Sequence, residues 1–345
     1  MRFKPITIVG GGLAGLTLGI GLRQRGIPVT VFEAGNYPRH RVCGEFISGR
    51  GQEVLDRLGL RDLFCQAGAT SARTALFSSG RARSPLRPLA TPALCLSRFC
   101  MDARLAEKFQ SLGGELHQGE RWKAMAPEGI VHASGRRAHP LENGWRWFGL
   151  KVHAQNAALV ADLEMHSTRN GYVGLCQLGQ QTVNVCGLFR RPVNAPDSAP
   201  RWQTLLQGEP GTSLHARLAE AIFDEASFCS VAGLPSRAYR SCSKVECVIG
   251  DAITMIPPVT GNGMSMAFES AEIAIEPLIL YSRGEVGWLR AQHLVASACD
   301  RRFAHRLHWA NWLQWMMFAP LFQGPCGTLA LNSGVLWRLI FTRTR

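Results

Sequence analysis

The chain has 345 residues, 46% hydrophobic and 18% charged, a balance that excludes an intrinsically disordered protein. Its 38 Lys and Arg outnumber its 25 Asp and Glu, and the net charge of +13 favours anionic partners. There is no long basic run and no nucleic-acid-binding motif, so we expect no nucleic-acid partner. The 11 Cys contain no C-x-x-C pair, which argues against a metal site and predicts reduced thiols in a cytoplasmic protein.

The first predicted elements form a βαβ unit with a glycine-rich turn. An apolar strand over residues 6–9 precedes a predicted helix over 16–25 and a second strand over 27–32. The turn between the first strand and the helix matches G-x-G-x-x-G and consists of Gly10, Gly11, Gly12, Leu13, Ala14 and Gly15. These elements, in this order, predict a binding site for an adenine dinucleotide.

Each residue type in this unit has a physical reason. Gly10 allows the tight turn, Gly12 lets the backbone approach a pyrophosphate, and Gly15 lets the helix pack closely on the strand. The phosphates would then lie at the positive end of the helix dipole. Glu33 ends the second strand 18 residues after Gly15 and would bind a ribose hydroxyl. A glycine-rich turn without a ligand is the alternative, but it leaves Glu33 without a role.

A second glycine-rich segment follows an apolar strand that ends near residue 249. It contains Gly250, Asp251, Ala252, Pro258, Gly261, Asn262, Gly263 and Met264. These residues fit the pattern G-D-A-x(5)-P-x-x-G-x-G-M. With it the chain resembles the glutathione-reductase-type flavoproteins, and more closely their aromatic-hydroxylase and geranylgeranyl-reductase branch.

This resemblance implies that the dinucleotide is FAD. Asp251 would accept a hydrogen bond from a ribityl hydroxyl, and Gly261 and Gly263 would leave room for the isoalloxazine ring. A helix beginning near Gly263 would direct its N-terminal N–H groups at the ring, where they stabilise the anion of the reduced flavin. Asn262 and Met264 are included in the predicted cofactor site with their neighbours.

Two further segments resemble the same flavoproteins. Residues 37–45 resemble the P-R-x-K-x-C-G-E stretch of geranylgeranyl reductases and flavin halogenases, which implies that Arg41 faces the cofactor and that Glu45 lines the reacting end. Residues 97–105 resemble S-R-x-x-L-D-x-x-L, which implies that Arg98 lies near the FAD linker. The alternatives are a solvated basic loop for Arg41 and an ordinary helix-end charge for Arg98.

Some positions depart from the family patterns. Ser134 replaces the acid of the hydroxylases' A-D-G segment, so NAD(P)H is a candidate reductant whose direct use is in doubt. Tyr172 lacks the Trp that accompanies it in reductases and halogenases, which weakens both of those interpretations. Lys151 and His153 alternate on a predicted strand and point to one face. They form either a substrate-pocket pair or two exposed strand residues.

The predicted fold class is α/β. It has a Rossmann-like FAD-binding domain (1–68, 94–140 and 236–285), an inserted antiparallel-sheet substrate domain (69–93 and 141–235) and C-terminal helices (286–345). In the last region, Trp309, Trp312 and Trp315 are flanked by basic residues. We favour packing of these helices on the FAD domain. The alternative is peripheral contact with a membrane, which would make the protein membrane-associated.

The sequence therefore predicts an FAD-dependent oxidoreductase, most simply of the monooxygenase type, that acts on a small apolar or aromatic, secondary-metabolite-like molecule. A geranylgeranyl-reductase-like reductase or dehydrogenase is the first alternative. A flavoprotein that oxidatively modifies a partner protein is the second, because the positive charge is compatible with docking to a macromolecule. No catalytic side chain is assigned, since in this branch the flavin performs the difficult step.

Overall fold

The computed structural model describes residues 3–80, 82–123, 128–136, 144–179, 181–195, 201–234, 246–318 and 332–334. The strands in chain order are β1 (Ile6–Val9), β2 (Val29–Glu33), β3 (Phe46–Ile47), β4 (Thr70–Ser79), β5 (Ala82–Arg83), β6 (Arg87–Cys95), β7 (Glu115–Gln118), β8 (Ile130–His132), β9 (Trp145–Gln155), β10 (Leu163–Thr168), β11 (Gly171–Gln177), β12 (Val183–Pro192), β13 (Ile222–Ala232) and β14 (Cys247–Val248). The helices are α1 (Leu13–Arg23), α2 (Arg50–Arg57), α3 (Arg61–Gln66), α4 (Arg98–Ser111), α5 (Trp202–Gln207), α6 (Ser213–Leu218), α7 (Gly263–Ser282) and α8 (Trp288–Phe318).

A five-stranded parallel sheet in the order β14-β8-β1-β2-β7 forms the first layer. Its centre is β1, whose short apolar sequence suits a strand covered on both faces. Helix α1 is buried along nearly its whole length and packs with α4 and α7. Its glycines allow this close approach, because a Cβ on Gly19 would lie 2.8 Å from Phe109 and one on Gly21 would lie 2.3 Å from Ile275. The predicted Rossmann-like βαβ unit is confirmed.

The second sheet has the strand order β13-β9-β12-β11-β10-β4-β6-β3, with β5 beside β4. All of its pairs are antiparallel except β10 and β4, which run parallel. The predicted antiparallel sheet is therefore confirmed apart from this one junction, at which two chain segments far apart in sequence meet. Strand β3 also joins this sheet, although it lies within the segment 1–68.

The two faces of the second sheet have different neighbours. Alternate residues of β9, among them Leu150 and Val152, point to one face and pack against α5 and α6. These two short helices lie inside the segment predicted as sheet and are not among the predicted elements. The other face, which carries Lys151, contacts residues that lie between β2 and β3. The predicted domain boundaries near 140 and 235 lie in 137–143 and 235–245, outside the described residues.

Helix α8 confirms the predicted helical character of residues 288–318, while 319–331 and 335–345 lie outside the described residues. Glu269 of α7 holds α8 in place: its carboxylate accepts hydrogen bonds from Arg302 at 3.0 Å and from Arg306 at 2.7 and 2.6 Å. The side chains of Trp312 and Trp315 are exposed on α8. No helix in the described part of the chain has the length and apolar character needed to cross a membrane.

Candidate cofactor and substrate site

The glycine-rich turn places three glycines in three different surroundings. Gly10 has a φ of +110°, and a Cβ there would lie 2.4 Å from the carbonyl oxygen of Ala133. A Cβ on Gly15 would lie 2.0 Å from the carbonyl oxygen of Gly10. Gly12, the N-cap of α1, has no protein atom within 4 Å of an added Cβ. Gly10 and Gly15 therefore serve packing of the protein itself, whereas Gly12 faces open space at the N-terminus of a helix, where an anion binds best.

Glu33 is buried beside this turn, and its carboxylate is held in place by several donors. It accepts hydrogen bonds from the backbone N–H groups of Gly11 and Gly35, each at 2.9 Å, and forms an ion pair with Arg39 at 2.8 Å. Burial alone would raise the pKa of Glu33, but the bonds from Gly35 and Arg39 and the charges of Arg39 and Arg41 outweigh it and lower the pKa. The carboxylate thus stays ionised as an acceptor.

Two neighbours of Glu33 were not identified from the sequence. They are Arg39, its closest ion-pair partner, and Tyr37, whose hydroxyl donates a hydrogen bond to the carbonyl oxygen of Gly11. Both follow β2 in the basic loop that carries Arg41. Their proximity to the glycine-rich turn depends on the path of that loop, which no local pattern specifies.

Arg98 lies at the start of α4, and its side chain is 13% exposed. Its guanidinium donates two hydrogen bonds, at 2.9 and 2.8 Å, to the carboxylate of Asp102, which is inaccessible to solvent. Its backbone N–H donates to Glu45 at 2.8 Å. Protein partners thus hold both the side chain and the backbone of Arg98. Arg41 is partly exposed, with its guanidinium 3.8 Å from Glu33 and 3.9 Å from Asp102.

The second glycine-rich segment meets the first in space. A Cβ on Gly250 would lie 2.8 Å from the Cβ of Ala14, so the two segments are in direct contact. Asp251 is exposed to solvent, yet the protein that surrounds it raises the pKa of its carboxyl to about 6, against the charges of Arg98 and Arg136. Asp251 therefore lies at the contact between the two glycine-rich segments, where it is accessible to solvent.

The loop before α7 contacts the segment that contains β3. A Cβ on Gly261 would lie 2.3 Å from the ring of Phe46, so the absence of a side chain at Gly261 makes room for that ring. Asn262 is the N-cap of α7, and its Oδ1 lies 3.5 Å from the Oγ of Ser48. At Gly263 an added Cβ would have no neighbour closer than 3.9 Å, which leaves space for a ring there. Three other predicted site residues have side chains buried in the core: Leu13, Ala14 and Met264.

A buried charged cluster lies between the second sheet and the cofactor segments. The Nζ of Lys151 is 3.6 Å from Oε1 of Glu45 and donates a hydrogen bond to Nδ1 of His40 at 3.0 Å. The Nε2 of His153 is hydrogen-bonded to Oε2 of Glu45 at 2.7 Å. Lys151 and Glu45 are inaccessible to solvent, which contradicts the interpretation of Lys151 and His153 as exposed strand residues.

Glu45 also has an unusual backbone conformation. Its φ is +61°, a region that non-glycine residues seldom occupy outside constrained sites. Its neighbour Phe46 packs on Gly261, which places the carboxylate cluster beside the loop that precedes α7. Strained, fully bonded charged groups next to a ligand cleft are typical of functional sites.

Further along, the same sheet face has a glycine that could carry a side chain and, in the described part of the chain, buried polar atoms without partners. An added Cβ on Gly174 would have no neighbour closer than 3.7 Å. The hydroxyl of Tyr172 and Oδ1 of Asn184 are buried, and neither atom has a hydrogen-bond partner within the described ranges. Burial raises the pKa of Tyr172 well above its ordinary value, so its hydroxyl remains a donor. Unsatisfied buried polar atoms are costly, and a bound ligand would satisfy them.

Comparisons with known proteins agree with this arrangement. Residues 4–139 match the family described as "FAD binding domain". A curated relative, "Monooxygenase 1" of Arabidopsis thaliana, is 34% identical over 95 residues, which cover 27% of this chain and 24% of that protein. The match therefore spans about a quarter of the relative's length.

Solved structures share the fold over nearly the whole chain. The halogenase PltM has a TM-score of 0.72 at 16% identity, with 99% of this chain and 79% of the halogenase covered. The flavin-dependent brominase Bmp2 has a TM-score of 0.71 at 18% identity, with 99% and 92% covered. A flavoprotein/dehydrogenase from Cytophaga hutchinsonii has a TM-score of 0.70 at 16% identity, with 91% and 86% covered. The chain thus has the fold of FAD-binding flavoenzymes.

Proposed function

We propose that this protein is an FAD-dependent oxidoreductase of the monooxygenase type, and that its substrate is a small apolar or aromatic molecule. One observation carries the proposal: the two glycine-rich segments meet where Gly250 contacts Ala14, and the sheet face that carries Lys151 has buried polar atoms with no partner among the described residues. Ligand sites favour such junctions between layers of structure.

The residues present fit FAD. The open position at Gly12 and the N-terminal N–H groups of α1 would hold the pyrophosphate, and the ionised Glu33 would accept from a ribose hydroxyl. Asp251 would take the ribityl chain in the cleft that raises its pKa. The space at Gly263 and the N-terminus of α7 would receive the isoalloxazine ring. When bound, FAD supplies the two-electron chemistry with oxygen.

The chain's own residues would bind and orient the substrate and keep water away. The second sheet would cover the cofactor, and the hydroxyl of Tyr172 and the Oδ1 of Asn184 would offer a donor and an acceptor to a polar substituent. Close by, the short bond between Nε2 of His153 and Oε2 of Glu45 holds a proton inside the protein. Lys151 balances the carboxylate charge there.

Relatives support a small aromatic substrate. The halogenase PltM, which shares the fold, is described in complex with phloroglucinol and FAD. The match to a monooxygenase over 95 residues supports oxygen chemistry more directly than it supports a geranylgeranyl-reductase-like activity. NAD(P)H is the first reductant to test. The test is informative because Ser134 replaces the acid of the hydroxylases' A-D-G segment.

The proposal predicts substrate-dependent oxygen consumption. The FAD-reconstituted protein should be yellow, should be bleached by NADH, NADPH or dithionite without oxygen, and should then consume oxygen faster when a phenolic probe is added. Mass spectrometry should find a product that has gained oxygen. A reduced product with no oxygen consumption would instead establish a reductase, and a partner protein that gains oxygen while all small probes stay unchanged would establish a protein-modifying enzyme.

A further inference from the structure

Arg190 of β12 has surroundings that an ordinary structural arginine does not have. Its guanidinium carbon lies 4.3 Å from the ring centroid of Trp145 and 4.4 Å from that of Phe318, so aromatic rings cover the group. Trp147 lies further away, at 5.9 Å. Its one side-chain hydrogen bond in the described structure is long, 3.5 Å from Nη2 to the carbonyl oxygen of Phe318.

Within the described part of the chain, the charge of this guanidinium has no opposite charge beside it. Among the residues that the structure describes, no carboxylate forms an ion pair with Arg190, and its Nε is buried without an acceptor. Burial lowers the pKa of Arg190, which means that its surroundings disfavour the positive charge. Because aromatic rings lie against the guanidinium, only its planar edge can bind a ligand. That edge can donate two parallel hydrogen bonds to a carboxylate.

The register of the sheet places Arg190 on the face that borders the cofactor cleft. Arg190 is opposite Trp147, and Cys186 is opposite Lys151, so their side chains share one face. Trp147 packs in one cluster with Tyr172 and with Val259, which belongs to the 3₁₀ turn just before the loop that would hold the flavin ring. Arg190 therefore lies on the same sheet face as Tyr172, whose hydroxyl has no partner among the described residues.

We propose that Arg190 binds a carboxylate of the substrate, so that the protein selects small aromatic acids over their neutral analogues. The proposal rests on the proposed function, since it names the substrate class of that same site. The aromatic rings around the guanidinium would contact the apolar body of the acid, and the Tyr172 hydroxyl would lie on the same sheet face. The overall charge of +13 would assist the approach of an anion.

A binding experiment tests this inference without turnover. The FAD-reconstituted protein is titrated with benzoate, 4-hydroxybenzoate, salicylate and 2-naphthoate and with the amide of each acid, and flavin absorbance and Trp fluorescence are followed. A charge-assisted hydrogen-bonded pair contributes about 1.5–3 kcal/mol, so at least one acid should bind roughly tenfold to hundredfold more tightly than its amide. Arg190→Gln should abolish that preference and leave amide affinity unchanged. Arg190→Lys should retain only part of it, because it keeps the charge without the planar edge.

Arg146→Gln is the matched control. Arg146 neighbours the same tryptophans on β9 but is exposed and points to the opposite face, so its removal lowers the net charge equally and should not change the preference. The inference would be overturned if the wild type bound every acid and its amide with equal affinity. It would also be overturned if Arg190→Gln and Arg146→Gln reduced the preference for the acid equally. If Arg190→Gln does not fold, the Arg190→Lys result decides. Failure to bind FAD would contradict the proposed function. If FAD binds and the amides change the flavin absorbance as readily as the acids do, only this inference is contradicted.

Discussion

Replacing Glu269 by Ala is expected to destabilise the folded protein by about 3–5 kcal/mol, because it leaves buried charges without their partner. The Glu269 carboxylate is inaccessible and accepts three hydrogen bonds from two arginines of α8. Of these, Arg306 is itself buried, with a side chain 5% exposed. The loss should appear as a lower midpoint of urea unfolding. Helix α8 should unfold at the same urea concentration as the rest of the protein or at a lower one.

Glu272 provides the control on the same helix. Its carboxylate also forms a two-bond pair with an arginine, Arg57, but there the side chains are 26% and 49% exposed. Exposed pairs contribute little, so Glu272→Ala should cost less than about 1 kcal/mol. A destabilisation of Glu269→Ala no larger than that of Glu272→Ala would show that the buried pair does not hold α8 against α7.

Replacing Gly12 by Ala is expected to lower the affinity for FAD at least about hundredfold, which corresponds to roughly 2.7 kcal/mol. No protein atom lies within 4 Å of the added Cβ, and the backbone at Gly12, with φ of −84°, is one that alanine adopts readily. Any collision must therefore be with the ligand that approaches the turn. The affinity is measured by quenching of flavin fluorescence in a titration of the cofactor-free protein.

Folding should be almost unchanged in Gly12→Ala, within about 1 kcal/mol for a change at the N-cap. Gly15→Ala is the contrasting variant, because its Cβ would lie 2.0 Å from the carbonyl oxygen of Gly10. That variant should lose stability with or without FAD. Wild-type affinity in Gly12→Ala would mean that no pyrophosphate approaches the turn.

Local patterns were sufficient to predict the structure of the first glycine-rich unit. The strand, the glycine turn, the helix and Glu33 all lie within 33 residues, so spacing alone specifies their geometry. The second segment was predicted from its own pattern together with the helix that begins at Gly263. Its contact with Ala14 is a long-range one, yet it follows from the order in which such segments occur in flavoproteins.

Burial of the charged cluster could not be predicted in this way. Whether His153 is exposed depends on Glu45, which is 108 residues away, and on a backbone conformation at Glu45 that its sequence does not favour. The aromatic rings around Arg190 come together only because β9, β12 and the end of α8 meet. The parallel pairing of β10 with β4 likewise depends on the path of the whole chain, and α5 and α6 are too short to have a clear period.

The most direct test of the account compares FAD with ADP, which carries the adenosine and pyrophosphate but neither the ribityl chain nor the ring. Affinities of both are measured for the wild type, Gly12→Ala and Asp251→Ala. We expect Gly12→Ala to weaken both ligands and Asp251→Ala to weaken FAD roughly tenfold or more, as loss of a hydrogen bond to a charged group implies, while ADP binds as before. If Asp251→Ala weakens ADP as much as FAD, or affects neither, the two segments do not hold opposite ends of one ligand.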